Sequence, residues 1–146
     1  MLGADRPPEQ LGNYTGFLMT WAATRSREAF AQALSELGLK PPQFGILTMI
    51  GARPGITQNE LVAATDVDAS TMVAQLDRLE QEGLAERRPH PSDRRKRAVH
   101  LTPRGTRTLA KGQEAAERVG NEAFARLSDA ERAELHRLMR KLTGLE

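Results

Sequence analysis

The apolar positions along this chain recur mostly at helical spacing. Leu11, Tyr14, Leu18 and Trp21 step by three and four, and Phe30, Leu34 and Leu37 repeat the step. That pattern predicts one long helix over residues 9–37, stopped by Gly38. At about 25 residues it exceeds what a small domain needs for its own core, and such an amphipathic arm often packs on a second subunit. Pro41 and Pro42 open a second helix with Phe44, Leu47 and Ile50 on one side, broken around Gly51, Pro54 and Gly55. Thr57 and Glu60 have capping-box spacing and start a short third helix through Leu61, Val62 and Ala64. After a turn at residues 65–67, Asp68 caps a fourth helix that ends near Gly83. Met72, Leu76 and Leu79 share one face of it. Ser70, Ala74, Asp77, Arg78 and Gln81 lie opposite, with Thr71 at the edge. Two short extended runs, residues 84–88 and 98–101, then flank a Pro-containing tip and read as a hairpin. Thr102 and Pro103 open a fifth helix running to about Arg126. Ser128 and Glu131 form a second capping box, starting a sixth helix with Leu135, Leu138, Met139 and Leu142 inward. Gly112 and Gly120, inside the fifth helix, are either places of close helix packing or weak points.

Composition sharpens this picture in a few respects. With 146 residues the chain is one domain, or one domain with helical extensions, and 4% aromatics favours helices over a β-sandwich. It has no cysteine, which excludes disulfides, thiolate metal sites and a direct thiol-oxidation switch. No apolar run is long enough to span a bilayer, and the first ten residues lack the apolar segment of a signal peptide. The expected address is therefore the cytoplasm, with no membrane partner. His90, His100 and His136 are too scattered for a metal site, and no phosphate-binding glycine loop or nucleophile elbow is present. No cofactor is expected, and an enzyme has no support.

Charge changes the picture more. Residues 87–97 hold six Lys/Arg and one acid, a formal charge of +5. The rest of the chain has 15 bases against 18 acids, so it is slightly acidic. A basic finger raised between two strands suggests a polyanionic partner, nucleic acid first. Two short helices with a tight turn, followed by this hairpin, make a winged helix-turn-helix. Its second helix is suited to the major groove and its basic loop to the backbone or the adjacent minor groove. The small polar side chains near the start of the fourth helix allow close approach to base edges.

The ordered run of Asp68 to Val73, Asp77 to Glu80, Gly83 and Leu84, Arg87, then Asp93, Arg94 and Arg95, then Leu101, Thr102 and Gly105 resembles the MarR family of bacterial transcription regulators. The resemblance implies a mainly α fold with a small β-hairpin wing, a winged helix-turn-helix flanked by N- and C-terminal dimerisation helices. The expected boundaries are 1–38 for the N-terminal dimerisation helix, 39–102 for the DNA-binding domain and 103–146 for the C-terminal dimerisation helices. It further implies a homodimer on a roughly palindromic double-stranded operator, most often a repressor. Many relatives release DNA when a small aromatic or anionic effector binds.

Carried over by position, Asp93 and Arg95 match the wing's Asp-x-Arg pair, in which the acid orients an arginine toward the minor groove. Arg94 is an alternative, because it stands in a run of four bases. Ser70, Thr71, Ala74 and Arg78 fall at groove-facing positions. Arg88, Lys96 and Arg97 complete the expected DNA-binding set. Arg78 has a second reading as the partner of Glu82, four residues on. Asp77, which phosphate would repel, fits pairing with a wing arginine better than base reading. Tyr14, Trp21, Arg25 and Phe44 are candidates for an effector pocket, against the blander reading of core aromatics and a solvated arginine. A different functional class also stands: a winged-helix protein–protein module whose basic loop docks an acidic partner.

Overall fold

The computed structural model describes residues 6–146. The signal-peptide question over the first ten residues therefore falls partly outside the described residues. Six α-helices and a three-stranded sheet follow one another as α1 (Thr15–Ser35), α2 (Pro41–Ala52), β1 (Ile56–Thr57), α3 (Gln58–Ala64), α4 (Ala69–Gln81), β2 (Ala85–Pro89), β3 (Arg97–Leu101), α5 (Pro103–Ala123) and α6 (Asp129–Leu142). No described helix is long and apolar enough to cross a membrane. Two compact units result, residues 31–115 and residues 1–30 with 116–146.

Residues 31–115 hold most of the core. Leu34, Ile46, Leu47, Ile50, Ile56, Leu61, Met72, Leu76, Leu79 and Val99 are fully buried. The three predicted α4 positions Met72, Leu76 and Leu79 are among them. Local chemistry sets the element ends. Thr57 and Glu60 exchange side-chain-to-backbone bonds at the start of α3, and Ser128 and Glu131 do the same at α6. Asp68 caps α4 by accepting from the Thr71 N–H at 2.9 Å. Past α1 and α4 the chain turns at Gly38 and Gly83, each at φ +70°. The next residue bonds back in each case, Leu39 N–H to the Leu34 carbonyl and Leu84 N–H to the Leu79 carbonyl.

The sheet is antiparallel in the order β1-β3-β2, with Ile56 opposite Val99 and Arg87 opposite Val99 on the other side. The expected hairpin is there, but β1 had no sequence signal. Its two residues show no alternation, and one of them is also the cap of α3. The hairpin is tied off at its open end by Thr102. The Thr102 hydroxyl donates to the Gly83 carbonyl at 2.6 Å and accepts the Gly105 N–H at 2.9 Å. The Thr102 N–H donates to the Leu84 carbonyl. Gly105 sits so close that a Cβ there would lie 1.8 Å from the Leu84 oxygen. The spacing of Leu101, Thr102 and Gly105 thus records a backbone crossing. Gly112 instead makes room for a side chain, since a Cβ there would meet the Phe44 ring at 2.7 Å, whereas Gly120 has nothing nearby.

Two expectations need correction. The helix expected over residues 9–37 is interrupted: Glu9–Leu11 is a short 3₁₀ helix, and α1 begins at Thr15. Gly12 donates to the Glu9 carbonyl and Tyr14 to the Leu11 carbonyl, three-residue bonds of a turn around Gly12 and Asn13, both poor helix formers. Second, Leu138, Met139 and Leu142 of α6 do not point into a core, since Leu138 is 47% and Leu142 65% exposed; Leu135 is half-buried. Helical spacing locates an apolar face but does not say which molecule covers it.

Gly105→Ala is expected to lower unfolding stability by at least about 2 kcal/mol, because the added methyl meets backbone that cannot swing aside. Chemical denaturation measures it, and a loss below about 0.5 kcal/mol would contradict the crossing.

Candidate nucleic-acid interface

The exposed side of residues 31–115 is built from α4 and the β2–β3 wing. At the head of α4 the Asp68 carboxylate gathers three donors: the Ser70 hydroxyl at 2.6 Å, the Thr71 hydroxyl at 2.7 Å and the Thr71 N–H. These bonds, that of Ser70 foremost, hold its carboxyl well below the usual carboxylate range. Ser70, Thr71, Ala74 and Arg78 all stand exposed, opposite the buried Met72, Leu76 and Leu79. Arg78 takes the local partner that its spacing allows, Glu82 at 2.9 Å. The other Glu82 oxygen accepts from the buried Gln43 amide at 3.3 Å, so Arg78 starts from an anchored carboxylate.

The wing is fastened to α4 by Arg87. Its backbone N–H donates to Glu80 Oε1 at 2.8 Å and its guanidinium to Glu80 Oε2 at 2.6 Å. The same guanidinium bonds Asp77 and reaches Gln58 Oε1 at 3.5 Å. Asp77 therefore pairs with a wing arginine, as its position on the outer face implied. Hydrogen bonding to Arg87 lowers the Glu80 pKa, and Glu80 in turn raises that of Arg87. Of the wing's six bases, Arg87 is the internal one.

At the tip the chain closes through Lys96 N–H to the Asp93 carbonyl and His90 N–H to the Lys96 carbonyl. The Asp93 carboxylate accepts the Arg95 N–H at 3.0 Å and the Arg95 Nε at 3.2 Å. Those bonds, the side-chain one first, lower the Asp93 pKa. Arg95 remains 91% exposed while Asp93 is only 25% exposed, so the acid sits at the base and the arginine projects. Arg88 pairs with Glu86 on its own strand. Arg94, Lys96 and Arg97 are exposed.

Sequence reasoning missed the role of Glu80, seven residues from Arg87, and the neighbours of the wing's base. Thr57, Gln58 and Asn59 line a 130 Å³ recess together with Arg95, Lys96 and Arg97. No local signal joins residues nearly forty positions apart; only the β1–β3 pairing brings them together.

The effector candidates divide between the two units. Tyr14, Trp21 and Arg25 belong to one and Phe44 to the other. Tyr14 is 63% exposed, and Trp21 lies 6.2 Å from the Phe17 ring between centroids. Phe44 is half-buried against Gly112. None of the four lines the 510 Å³ cleft between α2, β3 and α5, whose walls include Thr48, Arg88, His100, Leu109 and Gln113.

Comparison with known proteins gives one answer. The family model described as MarR family matches residues 37–96. A Thauera aromatica protein named as a regulatory protein for the hcr operon is 37% identical over 128 residues, 87% of this chain and 77% of its own length. An HTH-type transcriptional repressor of Mycobacterium tuberculosis is 34% identical over 87% of this chain and 91% of its own. Among solved structures, the transcriptional repressor CouR bound to a 23-mer DNA duplex superposes with a TM-score of 0.81 at 29% identity, covering 96% of this chain and 99% of that one.

Glu80→Gln removes the charge that holds Arg87. At pH 7 it is expected to cost about 1–3 kcal/mol. The folded-state pKa of Glu80 is lowered, so its contribution is complete above the usual value of 4.5 and is lost as pH falls through the lower, folded value. The stability gap between wild type and variant should thus narrow below about pH 4.5 in denaturation series, and a gap independent of pH would refute the assignment.

Proposed function

The chain belongs to the MarR family, and from that premise we propose how its surface works as a DNA-binding transcriptional repressor. The protein is a regulator rather than an enzyme. The carrying observation is the rigid pairing of α4 with a wing whose Arg94, Arg95, Lys96 and Arg97 project from the Arg87 tie. Ser70, Thr71, Ala74 and Arg78 face base edges of the major groove. Arg95, oriented by Asp93, enters the flanking minor groove, and Arg88, Arg94, Lys96 and Arg97 neutralise phosphates. A DNA target fits a cytoplasmic address.

A homodimer supplies two such surfaces for a palindromic operator. In the unit of residues 1–30 and 116–146, Val119 is the only buried residue among those described. The same unit exposes Leu11, Tyr14, Leu18, Met19, Leu138, Met139, Leu142 and Leu145. So much uncovered apolar surface around so small a core is an interface waiting for its second copy. A small aromatic or anionic effector would bind the conformer that cannot hold DNA; Tyr14, Trp21 and Arg25 are candidate contacts within their own unit, and Phe44 within the other.

Fluorescence anisotropy on duplex from upstream of the protein's own gene tests the reading. Nanomolar affinity, at least a thousandfold above a scrambled duplex, is expected. The slope of log K against log salt should be near −7 if about eight phosphates are neutralised. Arg95→Ala should cost roughly 1–3 kcal/mol of operator affinity. Equal weak binding to both duplexes would favour an acidic protein partner for the wing. Leu142→Asp should shift sedimentation from dimer toward monomer and weaken operator binding. Trp21 is the single tryptophan, so its fluorescence reports effector binding directly. An effector that releases DNA without moving that signal would remove Trp21 from the pocket.

A further inference from the structure

The hydroxyls at the head of α4 are not free to choose their hydrogen-bonding sense. Asp68 is ionised at neutral pH, its carboxyl held below the usual range, and a carboxylate only accepts. The 2.6 Å contact from Ser70 and the 2.7 Å contact from Thr71 are therefore donations by the two hydroxyls. Each hydroxyl has one proton and two lone pairs, so both protons are spent on Asp68 and only lone pairs face outward. The third donor, the Thr71 N–H, is also taken by Asp68.

We propose that Asp68 sets base preference without touching DNA, by fixing Ser70 and Thr71 as acceptors that select the exocyclic amino groups of adenine or cytosine in the major groove. Guanine and thymine present carbonyl oxygens at the corresponding place, and two acceptors there repel. The outcome is discrimination of amino from keto bases on the contacted strand. The proposal rests on α4 being the helix that enters the major groove.

Asp68→Asn tests it atom by atom. Asn is as good a helix cap as Asp, so the fold is retained. The amide oxygen in the place of Oδ1 keeps the bonds from Ser70 and the Thr71 N–H. The amide nitrogen in the place of Oδ2 faces the Thr71 hydroxyl and donates to it. Thr71 must then turn its own proton outward. Thr71→Val keeps the shape and the cap while deleting the hydroxyl.

The full-length protein and both variants would be measured on duplexes carrying every single-base change in the half-site found by selection from a randomised pool. Wild type should favour A or C over G or T at the Thr71 position by about five- to tenfold, the worth of one neutral hydrogen bond. Asp68→Asn should move that preference to G or T and leave other positions unaltered. Thr71→Val should flatten it. If Asp68→Asn keeps the wild-type preference base for base, or Thr71→Val changes nothing, the inference is overturned while the DNA-binding reading survives. If wild type selects no sequence at all, the recognition-helix reading falls and takes the inference with it. Denaturation midpoints within a few degrees of wild type confirm that the variants are folded.

Discussion

The guanidinium of Arg87 joins the two halves of the proposed reading surface. It rises from β2, and its bonds end on Glu80 and Asp77 of α4. A two-stranded wing has little core of its own, and a hairpin without support is marginal in water. Here Ala98 and Val99 of β3 are both buried, and Arg87, which stands opposite Val99 across the strands, adds its charged tie to α4. Two carboxylates on one cation, partly shielded from solvent, make the angle between helix and wing costly to change. Loss of one partner leaves the others poorly compensated. For the proposed surface, which would meet two grooves at once, that rigidity matters more than the stability it adds.

Charges elsewhere on this face follow a consistent rule. Acids are used internally: Asp68 on the helix head, Asp77 and Glu80 on Arg87, Glu82 on Arg78, Asp93 beneath Arg95. Each of these acids either caps backbone or aims a base. Arg78, Arg88 and Arg95 therefore start from paired carboxylates, and in the proposed complex this would lower the entropy lost on contact with DNA. Residues 1–30 and 116–146 follow the opposite economy, with apolar side chains left uncovered on single helices. One unit holds a buried core, whereas the other leaves its apolar faces open for the proposed association.

Local chemistry was legible in the chain because it acts over four residues or fewer. The caps Thr57, Asp68, Thr102 and Ser128, the stop at Gly38 and the amphipathic face of α4 all came from spacing and residue type. The wing was legible because its charge is concentrated and its flanks extended. The break at Gly12 was obscured by an apolar period that runs on across it. Strand β1 was obscured by its length, since two residues have no period.

By itself the sequence determined the helical segments and their caps, apart from the break at Gly12, and which short segment carries the positive charge, because propensity, capping and composition are properties of neighbours in the chain. Only the tertiary structure decided that Arg87 is a tie to α4 rather than a sixth projecting base, that Gln58 and Asn59 stand beside Arg95 and Arg97, and that Gly105 marks a backbone crossing. Each of those depends on which distant residue lies opposite, and that is fixed by strand register and by the burial of Leu76, Leu79 and Val99 together, not by any local preference.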